Sequence, residues 1–270
     1  SLNNARVRSN TQRFEQERSV SFYGDVTLGW DNFLFLNGTL RNDRVSNLPV
    51  GNNSFYYPSV SLSYVLSQHL KLPKWVSYAK LRASFSQIGI AAPAPYLTNT
   101  YYSNPFGQPI GTVIPWSRND ERGDPALKPE ITQNRELGAE LRFFNGRLGI
   151  DATYYVINSK DLIVPILVST ASGFNSVRTN AGEIQNRGWE LTLNGTPVQN
   201  KDFRWDVSVN LTNNRNEVLR VSDQGNEITV GSLFGYINAT VTQKYVVGQP
   251  VGGLYGTSFA RFYGDKADDG

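Results

Sequence analysis

Apolar and polar residues alternate with a period of two along most of this chain. Between residues 19 and 30, Val20, Phe22, Val26, Leu28 and Trp30 alternate with Ser19, Ser21, Tyr23, Asp25 and Thr27. After Asp31-Asn32, Leu34, Leu36 and Leu40 alternate with Phe35, Asn37, Thr39 and Arg41. Val60, Leu62, Tyr64 and Leu66 are set against serines, and Ala79, Leu81, Ala83 and Phe85 against Lys80, Arg82, Ser84 and Ser86. The second half repeats the pattern at 136–143, 148–156, 189–194 and 205–212. Strict alternation predicts half-buried β-strands. Eight are predicted, with a weaker ninth over 251–263 and no amphipathic helix of useful length.

The predicted connections alternate in length. Short ones fall at 31–32, 68–77, 144–147 and 198–202, and long ones at 44–57, 88–130, 159–182 and 217–250. Asn145-Gly146 is a strong hairpin-turn signal. If each strand pairs with the next, the short turns gather at one end and the long loops at the other, as in an outer-membrane β-barrel. Aromatic residues crowd the short-turn end: Trp30, Phe33, Trp75, Tyr78, Phe143, Phe144, Phe203 and Trp205. Such rings favour a membrane–water boundary. Strands of about 10 residues, tilted ~45°, span roughly 24 Å, near the ~25 Å apolar band of these barrels.

Composition narrows the choice further. A soluble antiparallel sandwich also alternates, but its strands cluster near 5–6 residues, and its wet face carries many Lys and Glu. Here the polar positions are mostly Ser, Thr, Asn, Gly and Asp, and charged residues make up only 18% of the chain against about 25% in soluble domains. There is no Cys and a single histidine, His69, which removes disulfide scaffolds, thiolate metal sites and paired-histidine motifs. A net charge of +3 with mixed signs gives no nucleic-acid footprint. No apolar run approaches the ~18 residues of a spanning helix. The fold class expected is all-β: a transmembrane antiparallel β-barrel, here about 8–9 consecutive strands of a larger one. The odd strand count, the polar stretch Gly264–Gly270 and the start at Ser1 without Met suggest a segment of something longer. All 270 residues are expected to belong to one barrel domain.

The wording of several strands resembles one family. Asn180-Ala181-Gly182-Glu183-Ile184-Gln185-Asn186-Arg187-Gly188-Trp189-Glu190-Leu191 is similar to the "NAGEIxNxGxEL" segment of SusC/RagA-type TonB-dependent outer-membrane transporters of Bacteroidetes. Tyr57-Pro58-Ser59-Val60-Ser61 resembles its "FPSxS" strand, and Lys80 to Gly89 its "KLRASYGxxG". Leu127-Lys128-Pro129-Glu130 resembles its "LKPE", and Glu136-Leu137-Gly138 through Tyr154-Tyr155 the strand pair that follows. Gly248-Gln249-Pro250-Val251-Gly252, with Tyr255-Gly256, resembles its "GxPxG" and Tyr-Gly pair. Arg41 to Ser46 follows the family's "RxDGSSxF" only loosely, and the 88–130 loop has no family wording before Leu127. The resemblance implies a barrel of about 22 strands around an N-terminal plug. It further implies import of glycans or peptides, a SusD-like surface lipoprotein lid, and drive from the TonB complex. The plug, the TonB-contacting segment and the closing strands are expected to lie outside this chain.

Candidate chemistry is sparse. Lys80, Arg82, Glu136, Glu140, Arg142, Asp151, Glu190 and Asp206 occupy polar positions of strands and are expected to face a wet lumen. Glu136 and Glu140 would stand ~13 Å apart on one strand face, too far for a glycosidase pair. The Gly-rich stretch 248–253 lacks the Lys-Ser/Thr of a phosphate loop and is expected to be a turn. Asp265, Asp268 and Asp269 do not match a calcium-loop spacing, and His69 is expected at the surface of a turn. No enzyme, cofactor or metal site is expected. Solute contacts are sought in the longest loop, where Tyr101, Tyr102, Phe106 and Trp116 stand with Arg118, Asp120 and Glu121. Flat rings with polar groups suit sugars and peptides alike. Two rival readings are a siderophore- or cobalamin-type TonB-dependent receptor and a soluble carbohydrate-binding β-sandwich.

Overall fold

A computed structural model describes residues 14–104, 112–222, 225–236 and 239–256. Its strands run in chain order as β1 (Ser19–Trp30), β2 (Leu34–Val45), β3 (Ser54–Val65), β4 (Val76–Ile90), β5 (Tyr102–Ser103), β6 (Ser117–Arg118), β7 (Glu121–Arg122) and β8 (Glu130–Phe143). They continue as β9 (Leu148–Lys160), β10 (Ile163–Leu167), β11 (Ser176–Asn180), β12 (Glu183–Gln199), β13 (Arg204–Arg220), β14 (Glu227–Tyr236), β15 (Ala239–Val246) and β16 (Gly253–Tyr255). Eight long strands form one antiparallel sheet in the order β1-β2-β3-β4-β8-β9-β12-β13. Each long strand pairs with the next long one in the chain, so the sheet is a meander of hairpins. At the β1–β2 turn, Asp31 and Asn32 adopt φ of 44° and 56°, the left-handed conformation whose twist matches the flanking strands. Gly146, at φ 83°, serves the β8–β9 turn, where a Cβ would be strained.

Register sorts the side chains onto two faces. Leu62, Ala83, Leu137, Tyr154 and Trp189 lie directly opposite one another across five strands, and Leu81, Ala139, Ala152, Leu191 and Leu211 form the next row. This apolar face is open: Leu137 is 63% exposed, Leu81 47% and Trp189 44%. Among the described residues no second layer covers it, which removes the sandwich reading. The chain exposes 19412 Å², whereas a compact soluble chain of its 30.1 kDa would expose roughly 12,000 Å². Strands of 12 to 17 residues in this sheet are more than twice the soluble mode.

The packed apolar clusters sit at the long-loop end. Val45, Leu48, Phe55, Ala92, Leu127 and Ile163 form one, and Val218, Val221 and Ile228 another. Leu127 is completely buried. Asn52 donates from Nδ2 to the carbonyls of Ala126 and Leu127 at 3.2 and 3.1 Å, which fixes the segment before β8.

The long connections carry more structure than the alternation indicated. The 217–250 stretch is not a loop throughout: β13 runs on to Arg220, and β14 and β15 pair as a hairpin that β16 joins. Bulges near Thr229 and Ser232 break the period of two that would have shown β14. The ninth strand expected at 251–263 is described only as the three residues of β16. Residues 159–182 hold the β10–β11 hairpin, which β7 joins in parallel. Gly248 and Gly252 take φ of 81° and 84°, as turn glycines do.

Candidate functional site

The face opposite the apolar one gathers the predicted charged residues. Lys80, Glu140 and Asp151 lie in one row across β4, β8 and β9, and Ser84, Glu136 and Tyr155 in another. Arg82, Gly138, Thr153 and Glu190 form a third row reaching β12. Arg142 stands opposite Tyr78, its guanidinium 5.6 Å from the ring centre. Asp206 accepts from Thr196 Oγ1 at 2.6 Å and from Arg204 Nε.

Most of these charges are satisfied within the wall. Arg82 donates to both oxygens of Asp151, at 3.2 and 2.7 Å, and to Thr153 Oγ1 at 2.6 Å. To do so it crosses the whole of β8 above Gly138. A Cβ on Gly138 would stand 2.4 Å from Arg82 Nε, so only glycine lets the guanidinium pass. Arg142 donates twice to Glu140 Oε1, and Asn134 Nδ2 donates to Glu136. Glu136 and Glu140 therefore belong to separate contacts, consistent with their spacing. Tyr155 likewise crosses Gly188 to reach Asn214 at 3.3 Å. Gly138 and Gly188 carry no side-chain chemistry, so a search for charged or aromatic groups passes over them, although both fall within the stretches that carry the family resemblance. The wall is thus polar but largely neutralised.

The loop candidates divide into two groups. β5 and β6 pair Tyr102 with Arg118, and Asn119 N donates to the Tyr101 carbonyl at 3.0 Å. This leaves Tyr101, Tyr102 and Trp116 on the surface, Trp116 66% exposed, and Asp120 exposed beside them. The other two candidates are engaged within the protein. Arg118 stacks over the Phe174 ring at 3.9 Å and donates to the Gly173 carbonyl. Glu121 accepts from Arg178 through both oxygens, at 2.7 and 3.0 Å. Phe106 lies outside the described residues, as do Asp265, Asp268 and Asp269.

Further ties between the two loops had no signature in the chain. Asn180 donates to the carbonyls of Lys128 and Asp161 and accepts from Lys128 N. Thr179 Oγ1 donates to Asp124 at 2.6 Å. Lys128 and Asp124 are more than 50 residues from their partners, beyond the reach of periodicity. At the opposite end His69 is exposed as expected, but its ring is packed: it stacks on Phe33 at 4.3 Å and meets Tyr64 Oη through Nδ1 at 2.5 Å.

With this geometry in view, comparison with known proteins decides the family. Residues 1–269 match the family model described as TonB dependent receptor-like, beta-barrel. The chain belongs to this TonB-dependent receptor family. It is similar to TonB-dependent receptor P3 of Formosa agariphila, 28% identical over 251 residues, 90% of this chain and 24% of that one. It is also similar to TonB-dependent receptor SusC of Bacteroides thetaiotaomicron, 28% identical over 268 residues, 93% of this chain and 26% of that one. Among solved structures its fold matches the RagAB peptide transporter with a TM-score of 0.75, at 23% identity, covering 87% of this chain and 25% of that one. The chain therefore spans about a quarter of the length of these relatives. The eight-stranded sheet is part of a TonB-dependent receptor barrel, the SusC/RagA resemblance holds, and the family consists of receptors rather than enzymes.

Proposed function

We propose that this chain forms part of the wall of an outer-membrane importer of SusC type, which takes up glycans or peptides with a SusD-like surface lipoprotein as its lid and the TonB complex as its energy source. One observation carries the reading: a single sheet with one open apolar face and one polar, largely neutralised face. The apolar face meets lipid, and the face holding Lys80, Arg82, Glu136, Glu140, Arg142, Asp151, Glu190 and Asp206 lines the lumen. Arg82, Asp151, Glu140, Arg142 and Asp206 are already paired with opposite charges and do not trap a passing solute, so the wall is a wet, weakly binding path. Solute is held at the loop end, with Tyr101, Tyr102 and Trp116 offering stacking faces and Asp120 a polar group. Arg118 and Glu121 serve there by bracing the loop. No bond is made or broken; transport is gated by a plug in the lumen.

The test is purification of the full-length protein from native membranes. The expected result is a detergent-dependent protein that migrates faster when unheated, carrying a lipoprotein and a bound oligosaccharide or peptide. Recovery from the soluble fraction without detergent overturns the barrel reading. A barrel that carries a ferric chelate and no lipoprotein overturns the importer class in favour of a siderophore receptor.

A further inference from the structure

The apolar face does not fade out towards the long loops; it stops at arginines. One register row of that face runs Val60, Phe85, Arg135, Val156, Arg187 and Arg215 across six strands. The next row outward is amide and acid: Gln87, Gln133, Asn158, Gln185 and Glu217. Gln133 donates to Gln87 at 3.0 Å and Gln185 to Asn158 at 3.3 Å. Arg187 lies 3.7 Å from Glu217. Arg135 and Arg215 are exposed and have no acidic partner within 4.0 Å among the described residues. Three cations thus share one row, bounded inward by the row of Leu62, Ala83, Leu137, Tyr154 and Trp189 and outward by the amide row.

Their height is telling. Eleven residue steps separate Arg187 from Val198, and ten separate Arg215 from Trp205. At ~3.3 Å per step and ~45° tilt these are roughly 26 and 23 Å along the membrane normal, against an apolar band ~25 Å tall. Arg187 and Arg215 therefore sit at the outer edge of the band, where a leaflet carries its headgroups, and Arg135, eight steps or roughly 19 Å from Phe143 by the same arithmetic, lies within a long side chain's reach of that edge. Long Arg stems lie along apolar surface while the guanidinium reaches the interface, and its planar fork matches a phosphate through paired hydrogen bonds.

We propose that Arg135, Arg187 and Arg215 form a binding site for the phosphate headgroup of an outer-leaflet lipid, with Gln133 and Gln185 as flanking donors. The inference rests on the reading that the apolar face meets lipid. A cation beside an anionic headgroup raises affinity about fivefold, so Arg135 and Arg215, the two without an acidic partner, give about thirtyfold together.

The test uses the full-length protein in neutral detergent, equilibrated with lipid A carrying its phosphates or with the same lipid dephosphorylated, and retained lipid is counted by intact-protein mass spectrometry. The expected wild-type preference for the phosphorylated form is about thirtyfold, unaffected by millimolar inorganic phosphate. Arg135→Gln/Arg187→Gln/Arg215→Gln should reduce it to near one. If that protein misfolds, Arg135→Gln/Arg215→Gln provides the same reading without disturbing the Arg187–Glu217 pair. A variant that folds, as judged by its unheated migration, yet keeps the wild-type preference overturns the site. So does a wild type with no preference, or one whose lipid free phosphate displaces. Unheated migration identical to the heated form in the wild type itself would instead overturn the barrel reading.

Discussion

Placing an arginine at Leu81 tests the assignment of the two faces most directly. Leu81 sits mid-strand on the apolar face, between Tyr64 and Ala139, five steps from Val76 and six from Gln87. That puts it roughly 12–14 Å from either edge of the band, close to its midplane. An arginine there costs about 2–4 kcal/mol if the surroundings are hydrocarbon. The ratio of folded to unfolded protein would fall about thirty- to several-hundred-fold, since each 1.4 kcal/mol is a factor of about ten. Ser84→Arg, three residues away, is the control. Ser84 lies on the other face opposite Glu136, where an added cation meets water and an acid, and its effect should stay within about 0.5 kcal/mol. The assay is a urea titration of the full-length protein refolded into lipid vesicles, scored by the fast-migrating unheated band. Equal effects of the two substitutions, or a larger effect of Ser84→Arg, would refute the assignment of lipid and lumen.

Three further outcomes follow from the contacts described. Gly138→Ala should destabilise the wild-type protein, because the new Cβ meets Arg82, yet stabilise an Arg82→Ser background by relieving a strand glycine; the same urea titration should show a coupling of about 1 kcal/mol. Asn180→Ala removes three hydrogen bonds, two of them to Lys128 across the loops, at about 1 kcal/mol each, and should speed proteolytic cleavage within residues 112–129 while leaving the sheet protected. Trp116→Ala should weaken solute binding three- to tenfold, in line with about 0.5–1.5 kcal/mol for a ring contact, as measured by calorimetry on the complex with its lipoprotein.

The long strands were legible because each alternates over about six to twelve residues, and the tight turns because Asp31-Asn32 and Asn145-Gly146 supply left-handed backbone at the points where the chain reverses. β14 was hidden because two bulges shift its phase, so apolar residues fall on consecutive rather than alternate positions. The loop site was only half legible. Tyr101, Tyr102 and Trp116 are surface groups, as their chemistry suggested, but the roles of Arg118 and Glu121 are set by Phe174, Gly173 and Arg178. Nothing local to residues 118–121 announces those partners. The arginine row was illegible for a different reason. Arg135, Arg187 and Arg215 each look like an isolated charge on its own strand, and only the register between strands aligns them.

The confinement of Leu127, Val218 and their neighbours to the loop end has an evolutionary corollary. A side chain that touches only fluid acyl chains needs to be greasy but not any particular shape, so Leu, Val, Ile and Phe should exchange there at little penalty. The clusters at the far end are solid, jigsaw-like fillings in which a methylene gained or lost is felt. Drift among relatives should accordingly be lopsided: free interchange along the staves of the cask, and strict retention of volume beneath its lid.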